Sequence, residues 1–90
     1  MDYDYILVFL NTHNALHCEN ILNNFKFNIT VLPTPSNISN SCGISIGVYR
    51  NDFNKINDLI LNGKIFVKLI YDVKKDCIID KFWFLVFKML

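Results

Sequence analysis

The stretch Asp4-Tyr5-Ile6-Leu7-Val8-Phe9-Leu10 decides the fold. It is rich in β-branched and aromatic residues and predicts a strand. Tyr5, Leu7 and Phe9 fall on one face, Ile6, Val8 and Leu10 on the other. Both faces are apolar, as expected of a central strand covered on two sides. Asn11 and Thr12 then supply a turn and a helix N-cap. From His13 to about Lys26 the period becomes helical, with Ala15, Cys18, Ile21, Leu22 and Phe25 on one stripe. His13, His17, Asn20 and Asn24 fall on the opposite, solvated side.

Outward from this strand–helix pair, residues 28–33 predict a second strand, stopped by Pro33 and Pro35. Residues 33–42 have turn chemistry almost throughout. A third strand is expected over 43–50, with Ile44, Ile46 and Val48 on one face and Ser45, Gly47 and Tyr49 on the other. Asn51 is placed to cap a second helix from Asp52 to Asn62, whose buried stripe is Phe53, Ile56, Leu59 and Ile60. Gly63 suits the position after its last turn. Residues 65–72 predict a fourth strand.

The order β-α-β-β-α-β defines an α+β domain, and its compact solution is a ferredoxin-like sandwich. That solution has a four-stranded antiparallel sheet with both helices on one face. Residues 1–73 form this domain, and 74–90 are read as an apolar C-terminal extension packing on the domain or across a homodimer. Strand one is apolar on both faces while two helices cover only one, so residues 78–90 are expected to cover the other.

Composition narrows the function. Ninety residues make one domain, and 52% hydrophobic content suffices for a core. A net charge of +1 does not advertise nucleic acid or an acidic membrane as partner. The first residues are acidic where a signal peptide is basic, and no apolar run reaches membrane-spanning length, so the cytoplasm is the expected compartment. Three cysteines without a CxxC indicate neither a disulfide framework nor a zinc knuckle.

The split βαβ unit draws attention to Cys42. A right-handed crossover makes strands one and two parallel, with strand three between them. The end of strand one, the start of helix one and the strand 2–3 loop then share one sheet edge. Cys42, at the exit of that loop, is expected near Thr12, His13 and Asn14. The first turn of a helix offers unpaired N–H groups and a positive dipole end, which stabilise a thiolate. Ser41 adds a hydroxyl, and Gly43 permits close approach of a ligand or a positive φ. Thr12, His13, Ser41 and Gly43 are therefore the candidate substrate-binding residues around a reactive Cys42.

The run Pro33-Thr34-Pro35-Ser36-Asn37-Ile38-Ser39-Asn40-Ser41-Cys42-Gly43 resembles the signature of a small bacterial family described as selenium/sulfur carrier-like. Tyr5-Ile6-Leu7-Val8-Phe9 and Thr12-His13-Asn14-Ala15-Leu16 are similar to that family's opening. The resemblance spans roughly residues 5–72. It implies that Cys42 carries sulfur or selenium as a persulfide or perselenide, with donor and acceptor proteins as partners.

Other readings are weaker. Cys18 lies on the buried helical stripe and belongs to the core, and Cys77 has no chemical neighbours in the sequence. His13 and His17 have zinc-helix spacing, but the Glu that HExxH requires at position 14 is Asn, so no metal is assigned. Strand three lacks the basic and aromatic positions of an RNA-binding RNP1 motif. No Walker loop, GxGxxG, GxSxG or paired-carboxylate constellation occurs, and no cofactor is called for. Whether the protein is an enzyme stays open. Two function classes survive: a thiol-based carrier, and a small ACT-like module binding an anion or metabolite at the loop and helix N-terminus.

Overall fold

The computed structural model describes residues 3–35 and 43–79. Over these residues the protein is α+β, with two helices and a five-stranded antiparallel sheet. The elements are β1 (Tyr5–Val8), α1 (Thr12–Asn24), β2 (Ile29–Pro33), β3 (Ile44–Val48), α2 (Arg50–Leu61), β4 (Leu69–Asp72) and β5 (Cys77–Ile79). The strand order is β2-β3-β1-β4-β5. Since β1 and β2 are each antiparallel to the intervening β3, they run parallel to one another, as the crossover predicts.

The register sorts the side chains into cross-strand rows. Val31, Ile46, Leu7, Ile70 and Ile79 pair in succession across all five strands. Leu7, Ile46 and Ile70 in this row are fully buried. They share one core cluster with Ala15, Cys18 and Leu22 of α1 and Phe53 and Ile56 of α2. Tyr5 stacks on Phe53 with ring centroids 4.2 Å apart. Both helices thus bury their apolar stripes against the same sheet face. The alternate row runs Thr30, Gly47, Ile6, Tyr71 and Ile78 on the other face. Ile6 and Val8 there are buried too, which bears out the two-sided reading of β1.

Five details correct the sequence reading. The sheet has a fifth strand, because the turn through Val73–Asp76 folds Cys77–Ile79 back onto β4. The fourth strand begins at Leu69, not 65; Ile65 and Val67 still enter the core, and the Lys68 N–H donates to the Val8 carbonyl at 2.7 Å. Leu10 lies beyond β1 and is exposed. Helix one ends at Asn24, which leaves Phe25 as an exposed cap residue stacked on Phe27 rather than a core residue. Helix two begins at Arg50 with Tyr49 as N-cap, so Asn51 is inside the helix. Its first N–H is satisfied from afar: Arg50 N–H donates to Asp4 Oδ2 at 2.8 Å.

Both helices end in paired 6→1 and 5→2 hydrogen bonds around a left-handed residue. In α2 that residue is Gly63 at φ 73°, with Gly63 N–H donating to Ile60 O and Lys64 N–H to Leu59 O. In α1 the equivalent position is Lys26 at φ 62°, with Lys26 N–H donating to Asn23 O and Phe27 N–H to Leu22 O. A side chain in this conformation is disfavoured by roughly 1 kcal/mol relative to glycine. Lys26→Gly is therefore expected to raise stability by about 0.5–1 kcal/mol, read as a higher urea midpoint with unchanged slope.

Asp4 joins three segments. Besides Arg50 N–H, its carboxylate lies 3.3 Å from Lys74 Nζ. The hydrogen bond from Arg50 first, and then Lys74, hold its carboxyl below the usual aspartate value. A depressed folded-state pKa contributes stability that is present above the unfolded value and lost as pH falls through the folded one. Asp4→Asn keeps an oxygen to accept from Arg50 but removes the charge. The variant is expected to melt below wild type at neutral pH, and the gap should close on acidification below the ordinary carboxylate range.

Candidate functional site at the loop end of the sheet

The hairpin register places one set of chain ends together. Pro33 pairs with Ile44, and beyond them Thr34 N–H donates to Gly43 O at 3.2 Å, closing the mouth of the 34–43 loop. Val8, the last residue of β1, pairs with Ser45 at the same end of the sheet. The chain then turns directly into α1. Gly43, Thr12 and His13 therefore sit at one sheet end, as expected from the crossover. Cys42 and Ser41 lie outside the described residues.

Helix one begins sharply because Asn11 is extended (φ −154°, ψ 168°) and its Oδ1 accepts from Asn14 N–H at 2.8 Å. Thr12 and His13 are the exposed first residues of the helix. No acidic residue stands in that turn, so the turn itself supplies no carboxylate to offset the positive end of the helix dipole. The unpaired N–H groups of a first helical turn favour negative charge beside them.

Gly43 is exposed, its φ is not in the left-handed region, and a Cβ built on it would meet nothing within 4 Å among the described residues. The backbone does not require glycine there, which corrects the expectation of a positive φ and leaves close approach by a ligand as its remaining use. Thr34, at the opposite side of the mouth, has a buried Oγ1 with no hydrogen-bond partner among the described residues. Sequence reading assigned Thr34 no separate role. A buried, unpaired hydroxyl emerges only once the neighbours are in place.

The two described thiols occupy different settings. Cys18, on the core-facing side of α1, is fully buried, and burial pushes its thiol up to about 12. Cys77 is exposed on the edge strand β5, at the other end of the sheet, paired with Asp72. His17, one of the two helical histidines, donates through Nε2 to the Lys64 carbonyl at 3.0 Å and ties α1 to the end of α2. Among the described residues no group of three or more His, Cys, Asp or Glu side chains could hold a metal ion. A polar hollow of about 260 Å³ is lined by Asp4, Asn28, Tyr49, Asn51 and Asp52. It lies at the start of β1 and the end of β3, away from the loop mouth.

No helix among the described residues is long and apolar enough to cross a membrane. No curated protein and no solved structure matches the chain. A family model does match it, over residues 4–72, which span β1 to β4 and the whole 34–43 loop; the chain belongs to the family described as "Putative Se/S carrier protein-like".

Proposed function

We propose that this protein carries sulfur or selenium on Cys42, between donor and acceptor proteins, within a ferredoxin-like domain ending near residue 73. One observation carries the assignment to that thiol. The family match, residues 4–72, contains Cys18 and Cys42 but not Cys77. Cys18 is sealed in the core with its thiol held protonated, so Cys42 is the thiol left for carrier chemistry.

In the loading step the Cys42 thiolate attacks the terminal sulfur of a donor persulfide. The donor's S–S bond breaks as a new S–S bond to Cys42 forms. The donor departs as a thiolate and takes up the proton that Cys42 lost. Selenium transfer from a perselenide follows the same balance. Thr12, His13, Ser41 and Gly43 are the residues proposed around the carried atom. The first turn of α1, which carries no carboxylate of its own, supports this choice, since the loaded form is an anion stabilised by N–H donors.

The test uses the full chain with Cys77→Ser as background, which removes the exposed thiol. Treatment with a small-molecule persulfide donor is expected to add the mass of one sulfur atom, removed again by reductant. Adding Cys42→Ser should abolish the gain while the thermal unfolding curve stays in place. Gly43→Ala serves as a second arm: the open space there predicts unchanged stability, and slower loading if a donor must approach the backbone closely. A sulfur gain that survives Cys42→Ser sinks the carrier reading. Anion or metabolite binding that persists in that variant puts a small binding module in its place.

A further inference from the structure

Among the described residues, two helices cover one face of the sheet and none lies on the other, which is largely apolar. The row Thr30, Gly47, Ile6, Tyr71 and Ile78 crosses all five strands on that side, with Leu32, Ser45, Val8 and Leu69 in the next row. Among the described residues, Tyr3 reaches this face. Its ring sits so close to Gly47 that a Cβ there would lie 2.7 Å from Tyr3 Cγ. Ile6 and Val8 are 4% and 0% exposed, whereas Ile78, at the β5 end of the row, is 55% exposed. A face meant for water would present polar residues at these alternate positions.

The chain itself holds a suitable occupant. The last described residue, Ile79, lies on strand β5, and residues 80–90 follow it. These include Phe82, Trp83, Phe84, Leu85, Val86 and Phe87 in an unbroken apolar run. From β5 to β3 is three interstrand spacings, about 14 Å at roughly 4.8 Å each. Eleven residues span about 16 Å as a helix and on the order of 36 Å extended, so either form crosses the face. Each aromatic side chain brings about 150–250 Å² of surface to bury.

We infer that residues 80–90 fold back over the second sheet face of their own chain and complete a three-layer core. The occupant is this chain's own C-terminal segment, because its start on β5 adjoins the apolar row and its length matches the width to be covered.

Trp83 is the sole tryptophan, so the full-length protein reports on its own tail. Its emission is expected to be blue-shifted and shielded from acrylamide, at every protein concentration at which light scattering finds a monomer. Tyr71→Lys and Ile78→Asp alter half-buried and exposed positions of the row, so the fold should survive them. Each should shift Trp83 emission to the red and raise quenching towards that of the urea-unfolded chain. Phe25→Lys, at the exposed cap of α1, should leave both signals unchanged. Red-shifted, freely quenched emission in the native monomer overturns the inference, as does quenching that neither row variant moves. Shielding that appears only with dimerisation assigns the face to a second copy. Shielding that appears only with phospholipid vesicles assigns the tail to a membrane. Either outcome also overturns it.

Discussion

Cys18 is expected to resist alkylation until the protein unfolds, while Cys42 and Cys77 react in the native state. The thiolate is the nucleophile, and its population at neutral pH falls tenfold for each unit that the pKa rises. A rise from 9.0 to about 12 removes roughly three orders of magnitude before access is considered. Access adds to this, since Cys18 is fully buried and packed with Ala15 and Leu22. The same shift makes stability depend on alkaline pH. A group whose folded pKa is raised contributes stability that is complete below the unfolded value and lost as pH climbs to the folded one. The window runs from about pH 9 to pH 12, with a loss of order 4 kcal/mol across it. Other groups titrate there too, so the comparison is with Cys18→Ala. That variant should be less stable at neutral pH through lost packing, and its deficit should shrink or reverse above pH 9. Peptide mapping after limited iodoacetamide treatment checks the labelling order. Denaturant titrations across the alkaline range check the linkage. Labelling of Cys18 in the folded protein, or a deficit independent of pH, contradicts the buried assignment.

The parts of the fold that were legible in the sequence are those set by short-range periodicity. Alternation in residues 5–9 identified a strand with two buried faces, and the three- and four-residue spacing of Ala15, Cys18 and Leu22 identified a helix stripe. What the periodicity missed are features fixed by partners far along the chain. Asp4 completes the start of α2 across 46 positions, and no local rule would choose it over Asn51. Phe25 continues the 100° stripe arithmetically, but the chain turns left-handed at Lys26, so the stripe runs out before the residue arrives. Strand β5 has three residues, is largely exposed, and follows the charged run Lys74-Lys75-Asp76, so neither alternation nor hydropathy signals it. The candidate site divides the same way. Crossover handedness suffices to bring Thr12, His13 and Gly43 to one end of the sheet. The unpaired Thr34 hydroxyl and the open space at Gly43 depend on packing that spacing does not encode.

Leu7→Ala is expected to cost about 3–5 kcal/mol and to lower the melting temperature by roughly 15–30 °C. Leu7 is the middle residue of the row Val31, Ile46, Leu7, Ile70 and Ile79, on the central strand, under both helices. It is fully buried, so truncation removes transfer free energy and leaves a cavity. That cavity cannot readily close, because its walls are a hydrogen-bonded ladder on either side and the α1 and α2 stripes above. A domain of this size has a total stability of about 5–13 kcal/mol, so one such deletion removes a large share of it. The position within the row matters more than the residue type. Val31 lies on edge strand β2 at the end of the same row and is 47% exposed. Val31→Ala should cost less than about 1 kcal/mol, since the side chain is already half in water and solvent or a small shift can fill the space. Urea titrations of the two variants would read this gradient as two midpoints with a common slope. Equal costs at Leu7 and Val31 would mean that β1 is not the centre of the core, and the burial of Cys18 between α1 and the sheet would lose its foundation with it.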